Sequence, residues 1–155
     1  MPPNNGCNGG RSDYALGWLV QQGAAGIATE ESYPYLGFQS SCLNDSTVTG
    51  AAISNWTDIS TNETEIAASL ELLGPIAIAV NANGLQQYKR GIACPLADLC
   101  DPTMPNHAML LVGWGVEDGQ EYWKVSWAAY ATAPSGALNK REARRLLFWK
   151  LCFCL

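Results

Sequence analysis

Apolar residues change their spacing along the chain, and those changes divide it into elements. From Ser12 the positions Tyr14, Ala15, Trp18 and Leu19 fall on one face of a 3.6-residue period, with Asp13 in the first turn and Gly23 near the end; this predicts a helix. Residues 24–62 keep no period, and Pro34 punctuates what reads as loops and short strands. Asn62 or Thr61 can cap a helix that begins near Glu63, with Glu65 in its first turns and Ile66, Ala67, Leu70 and Leu73 as one apolar stripe ending at Gly74-Pro75. Ile76 to Val80 is a β run, Leu85 to Tyr88 a short helical turn, and Gly91 to Pro105 a loop rich in proline. His107 to Gly115 predicts a central strand and Glu121 to Trp127 its antiparallel neighbour. Asp118-Gly119 in the segment between them is a strong hairpin signal.

The pattern breaks at about Ala128. Residues 129–136 are linker-like, and four of the nine basic residues fall in Lys140-Arg141-Glu142-Ala143-Arg144-Arg145. Leu146 to Leu155 is almost wholly apolar with two cysteines. This tail reads as readthrough or a changed reading frame; the alternative is a membrane-surface or lipidated anchor. The net charge of −5 and the lack of a basic patch in the first 120 residues argue against nucleic acid as a partner. No apolar segment is long enough to span a membrane, and no membrane partner is expected. The start, Met1-Pro2-Pro3-Asn4-Asn5, has neither the basic nor the apolar region of a signal peptide, so an internal or truncated start is expected.

Candidate chemistry centres on His107, the only imidazole in the chain. Any general base working near neutral pH has this one candidate; otherwise the ring caps a strand end and does nothing. The six cysteines have no metal-ligand spacing, and with one histidine no metal and no cofactor are expected.

Five segments occur in a recognisable order: Asn5-Gly6-Cys7-Asn8-Gly9-Gly10, then Glu31-Ser32-Tyr33-Pro34-Tyr35, then Gly74-Pro75-Ile76-Ala77-Ile78-Ala79-Val80. Met104-Pro105-Asn106-His107 with its strand follows, and Glu121-Tyr122-Trp123-Lys124-Val125-Ser126-Trp127 closes the series. Together they resemble the papain-like cysteine proteases, with a cathepsin F or L flavour in Asn83-Gly84-Leu85-Gln86-Gln87-Tyr88 and in the stretch from Cys94 to Cys100.

The resemblance covers residues 4–127 and leaves 128–155 as a divergent tail. It implies an α+β, papain-like fold: mainly the antiparallel β-barrel-like lobe plus one helix of the helical lobe, incomplete. An open sheet edge is expected where family members continue with further strands. His107 would be the catalytic base. Gly9 and Gly10 would bring backbone against the substrate, although outside this context a Gly-Gly pair is a simple turn. Ala79 and Ala108 would line the main specificity pocket, where ordinary strand packing is the other reading. Trp127 would shield the histidine from water, or would simply be core.

Other family features are missing. The family's nucleophile sits in C-G-[SA]-C-[WY], a string absent from the chain and expected ahead of Met1. Cys7 looks like a disulfide position, as do Cys42 and Cys100, or less so Cys94; Cys7–Cys42 or Cys94–Cys100 pairs would be foreign to the family. Where the family carries the asparagine that orients the imidazole, this chain has Val125, which cannot accept a hydrogen bond.

Sequons at Asn44, Asn55 and Asn62, with disulfide-type cysteines, favour a lysosomal or extracellular destination for the full-length protein. The implied function is cysteine-type endopeptidase, with a polypeptide substrate or inhibitor as partner and this chain inactive alone. The alternatives are a non-catalytic binding or decoy module and an unstable mis-spliced product.

Overall fold

The computed structural model describes residues 4–21, 26–42, 49–96, 99–126 and 148–151. They fall into two compact units, one running to Asp58 and the other starting at Ile59. The division lies inside the span 4–127.

In the first unit, helix α1 spans Ser12–Gln21, and strands β1 (Ile27–Ala28) and β2 (Thr49–Ala51) pair antiparallel. Arg11 braces the start of α1. Its Nε and Nη2 donate to the Asp13 carboxylate at 3.0 and 2.6 Å, and its guanidinium lies 4.5 Å from the centre of the Tyr14 ring. The helix forms where the period placed it, but its expected apolar face does not become core. No α1 residue is buried, and Ala15 and Trp18 are exposed. A unit with strands this short has little surface to offer a helix.

The second unit contains helix α2 (Glu63–Leu73), strands β3 (Ile76–Val80), β4 (Ile92–Ala93), β5 (His107–Glu117) and β6 (Gln120–Ser126), and β7 (Phe148–Leu151), in the sheet order β3-β5-β6-β7-β4. Asn62 is the N-cap of α2: its Oδ1 accepts from the Thr64 and Glu65 N–H groups at 3.0 and 3.3 Å. Gly74 ends the helix at φ 88, a conformation costly for any residue with a Cβ. The stripe Ile66, Ala67 and Leu70 meets the sheet, whereas Leu73, the last residue of the helix, is exposed. The helical turn expected at Leu85–Tyr88 begins earlier, as a 3-10 turn at Asn83–Leu85, and runs on through the Tyr88 N–H to Leu85 C=O bond.

The β5–β6 hairpin turns on Asp118 (φ 53) and Gly119 (φ 79), both left-handed, as a two-residue turn between twisted strands requires. Between Leu111 and Gly113 the ladder slips by one residue, a bulge at Val112. Ile66, Leu70, Val80, Leu85, Met109, Leu111, Trp123 and Val125 form the core. The open edge expected beside β6 is instead filled: β7, from within the divergent tail, pairs antiparallel with β6 and parallel with β4. An apolar, β-capable run satisfies the free backbone groups of an edge whatever its origin. The remainder of the tail, with its basic cluster, lies outside the described residues. No helix among the described residues is long and apolar enough to cross a membrane.

Leu111 is fully buried between β3, β6 and the helix. Leu111→Ala is expected to lower unfolding free energy by about 2–5 kcal/mol, read from urea denaturation with an unchanged m-value. Asn62→Ala should lower it by about 0.5–2 kcal/mol through loss of the cap.

Candidate active site

His107 opens β5 and pairs across the ladder with Val80, the last residue of β3. Side chains alternate along a strand, so His107 shares a face with Met109 and Leu111, the core residues, but stands at the strand's end, half-buried. Its pair partner is fixed by a neighbour: the Asn106 N–H donates to the Val80 carbonyl at 3.0 Å.

Around this mouth a set of short polar side chains ties loop to loop. Asn106 Oδ1 accepts from the Ala82 N–H at 2.9 Å, and its Nδ2 donates to Asn83 Oδ1 at 2.8 Å. Asn81, only 4% exposed, donates to the Asp101 carbonyl at 3.1 Å and accepts from the Asn83 N–H at 3.1 Å. The N–H and hydroxyl of Thr103 donate to Asp101 Oδ1 at 2.8 and 2.7 Å, and these bonds, the hydroxyl's first, hold that carboxyl below its usual range. Segments 81–83, 101–103 and 106 are thus cross-braced, and the rim that carries the imidazole is set by side-chain amides as well as by the sheet. Sequence reasoning missed these asparagines. Asn81-Ala82-Asn83-Gly84 and Pro105-Asn106 are turn-forming compositions that could have flagged them.

The two alanines come together as a pair. Ala79 and Ala108 are direct cross-strand partners, both exposed, on the sheet face opposite His107. The result is a small-residue patch one register step from the imidazole. A half-buried imidazole on such a rim can take up and release a proton, and the alanine pair leaves room for a larger apolar group.

Val125 lies elsewhere. It pairs with Leu111, is fully buried, and belongs to the core. Its partner lies four positions along β5 from His107, roughly 13 Å at strand rise, so no side chain at 125 reaches the imidazole. Residues 127–147, Trp127 included, lie outside the described residues.

In the first unit, Gly9 (φ 103) follows a 3-10 turn at Gly6–Asn8 and lines a cavity of about 620 Å³ with Tyr33, Pro34, Tyr35 and Phe38. Gly10 is held against Asn4, whose Oδ1 accepts from the Arg11 N–H at 2.6 Å; a Cβ at Gly10 would overlap that side chain. Asn55 and Asn62 are exposed, as is Cys42, while Cys100 is buried. The Cys7 side chain and Asn44 lie outside the described residues. Among the described residues, no group of three or more His, Cys, Asp or Glu is placed to hold a metal ion.

Comparison with known proteins gives one answer. The profile of papain family cysteine proteases matches residues 2–132. The chain is 38% identical to cathepsin F of Mus musculus over 125 residues, covering 79% of the chain and 27% of the relative. It is also 38% identical to cysteine proteinase 15A of Pisum sativum over 112 residues, covering 72% of the chain and 30% of that relative. It therefore spans less than a third of either relative's length. Among solved structures it is similar to digestive procathepsin L 3 of Tenebrio molitor larval midgut, with a TM-score of 0.75 and 29% identity, over 96% of this chain and 44% of that one. Bromelain of Ananas comosus shares the fold at a TM-score of 0.77 and 23% identity, over 100% of this chain and 66% of that one. The expected α+β, papain-like arrangement is borne out.

The register predicts that Val125→Asn restores nothing at the imidazole. It should cost about 1–3 kcal/mol, the penalty for a buried amide without partners, and should leave the His107 ring signals in NMR spectra unmoved.

Proposed function

The chain belongs to the papain family of cysteine proteases, and on that footing we propose that its function is peptide-bond hydrolysis with His107 as the proton-transfer residue. The observation that carries this reading is the placement of the sole imidazole, half-buried on a braced rim, one register step from the Ala79–Ala108 patch. In such chemistry a thiolate attacks the scissile carbonyl and the imidazole holds the thiol's proton. The imidazole then gives that proton to the departing amine, and water cleaves the acyl-thioester. Gly9, Gly10, Ala79, Ala108 and Trp127 are proposed to contact the polypeptide, and the lining of Gly9 by tyrosines and Phe38 supports an apolar substrate segment there.

The 155 residues contain no C-G-[SA]-C-[WY] string, and Cys7 is proposed to be a disulfide position along with Cys42 and Cys100. Without an activated thiol no acyl-enzyme forms. This polypeptide alone is therefore proposed to lack turnover. A second reading, a module that binds polypeptide without cutting it, is favoured by the cavity at Gly9, which needs no nucleophile.

For the full-length protein we propose a lysosomal or extracellular setting. Support comes from the disulfide-type cysteines of the chain, Cys100 among them, and from exposed sequon asparagines at Asn55 and Asn62, with Asn44 as a further proposed glycosylation site.

Fluorogenic peptides with apolar residues incubated with the purified chain should show no turnover; turnover abolished by a thiol alkylator would overturn the proposed inactivity. Binding of the same peptides, measured by fluorescence anisotropy without cleavage, is the outcome expected of a binding module.

A further inference from the structure

The bulge at Val112 has an effect on the far end of β5. With an unbroken ladder, Trp114 would face away from the core. After the one-residue slip it stands directly opposite Trp123, and Val116 opposite Glu121, so Trp114 is turned to the face that α2 covers. There a cavity of about 270 Å³ opens between the first turns of α2 and the hairpin. Trp114 and Trp123 supply its aromatic walls, Ala67 part of its apolar surface, and Glu63 and Glu121 acidic residues at its lining.

We propose that this cavity, apart from the candidate active site, binds an organic monocation: an alkylammonium or guanidinium group of side-chain size. Three features on the same few residues point there. Indole rings attract a cation to their faces. The two carboxylates give the cavity negative charge. The volume falls below that of drug-sized pockets and suits one extended side chain.

An anion is disfavoured although a helix begins here. The Thr64 and Glu65 N–H groups are already taken by Asn62, and Glu63 and Glu65 occupy the first turn. Burial, and then the charge of Glu121, push the Glu63 carboxyl above its usual range. A cation seated between the two carboxylates compensates both effects.

The source is either a lysine or arginine of a polypeptide or a free amine. Calorimetric titration of the full chain with Nα-acetyl-lysine methylamide, Nα-acetyl-arginine methylamide and n-butylammonium separates these, with n-butanol as the neutral isostere. The expected result is binding of the cations at least about tenfold tighter than of n-butanol. Tighter binding of the amino-acid derivatives than of n-butylammonium assigns a polypeptide source, and equal binding a free amine. The double variant Glu63→Gln/Glu121→Gln should lose the preference. Equal binding of n-butanol to the unaltered chain, or an undiminished preference in a double variant with unchanged Tm, would overturn the proposal; the n-butanol comparison needs no variant to fold.

Discussion

The register of β5 against its two neighbours is the constraint on which the second unit depends. Met109 and Leu111 must face α2 for the core to close, and with a two-residue period this fixes every other side chain of the strand. It sends Ala108 to the opposite face beside Ala79 and puts His107 at the core-side end of the strand. It also buries Val125 beside Leu111. A one-residue slip would reverse all of these together. The site is therefore a consequence of core packing, and its polar bracing by Asn81, Asn83 and Asn106 adds to a position the sheet has already chosen.

Much of this was legible in the residues. Asn62 ahead of a carboxylate-rich turn, Asp118-Gly119 between apolar runs, and the span from His107 are local signals whose physics is local, and they appear where expected. The resemblance named Ala79 and Ala108 one by one as pocket residues; that they are cross-strand partners comes from the structure. What the sequence hid depends on contacts distant along the chain. The Val112 bulge is marked only by Gly113 beside it, a signal that fits a close backbone approach equally well. The exposure of Trp18 depends on what the first unit can pack against α1. The strand at Phe148–Leu151 depends on an edge that only the folded sheet presents.

Position and chemistry separate in this molecule. The sheet gives His107 a half-buried place at a strand end, which is all that position alone can supply. Covalent catalysis needs in addition a sulfur brought to it and a partner that fixes the ring, and Val125 cannot be that partner. The valine at 125 is therefore better understood as a core residue that Leu111 requires than as a damaged catalytic position. Its burial is complete, and the distance along β5 leaves it no part in proton transfer.

The same bulge links the two ends of β5. On the His107 side of Val112 the alternation serves the core and the alanine patch; beyond it the alternation is inverted and serves Trp114 and Trp123. An inserted residue that only relieved twist would leave an exposed tryptophan with no reason to face α2. Here Trp114 is 52% exposed, yet it stands across from a buried indole and close to two carboxylates. A large aromatic held half in water beside negative charge gains little from burial alone, and its quadrupole is strongest toward a cation. The register that sets the imidazole rim thus also sets, through one inserted residue, a second and chemically different surface on the same strand.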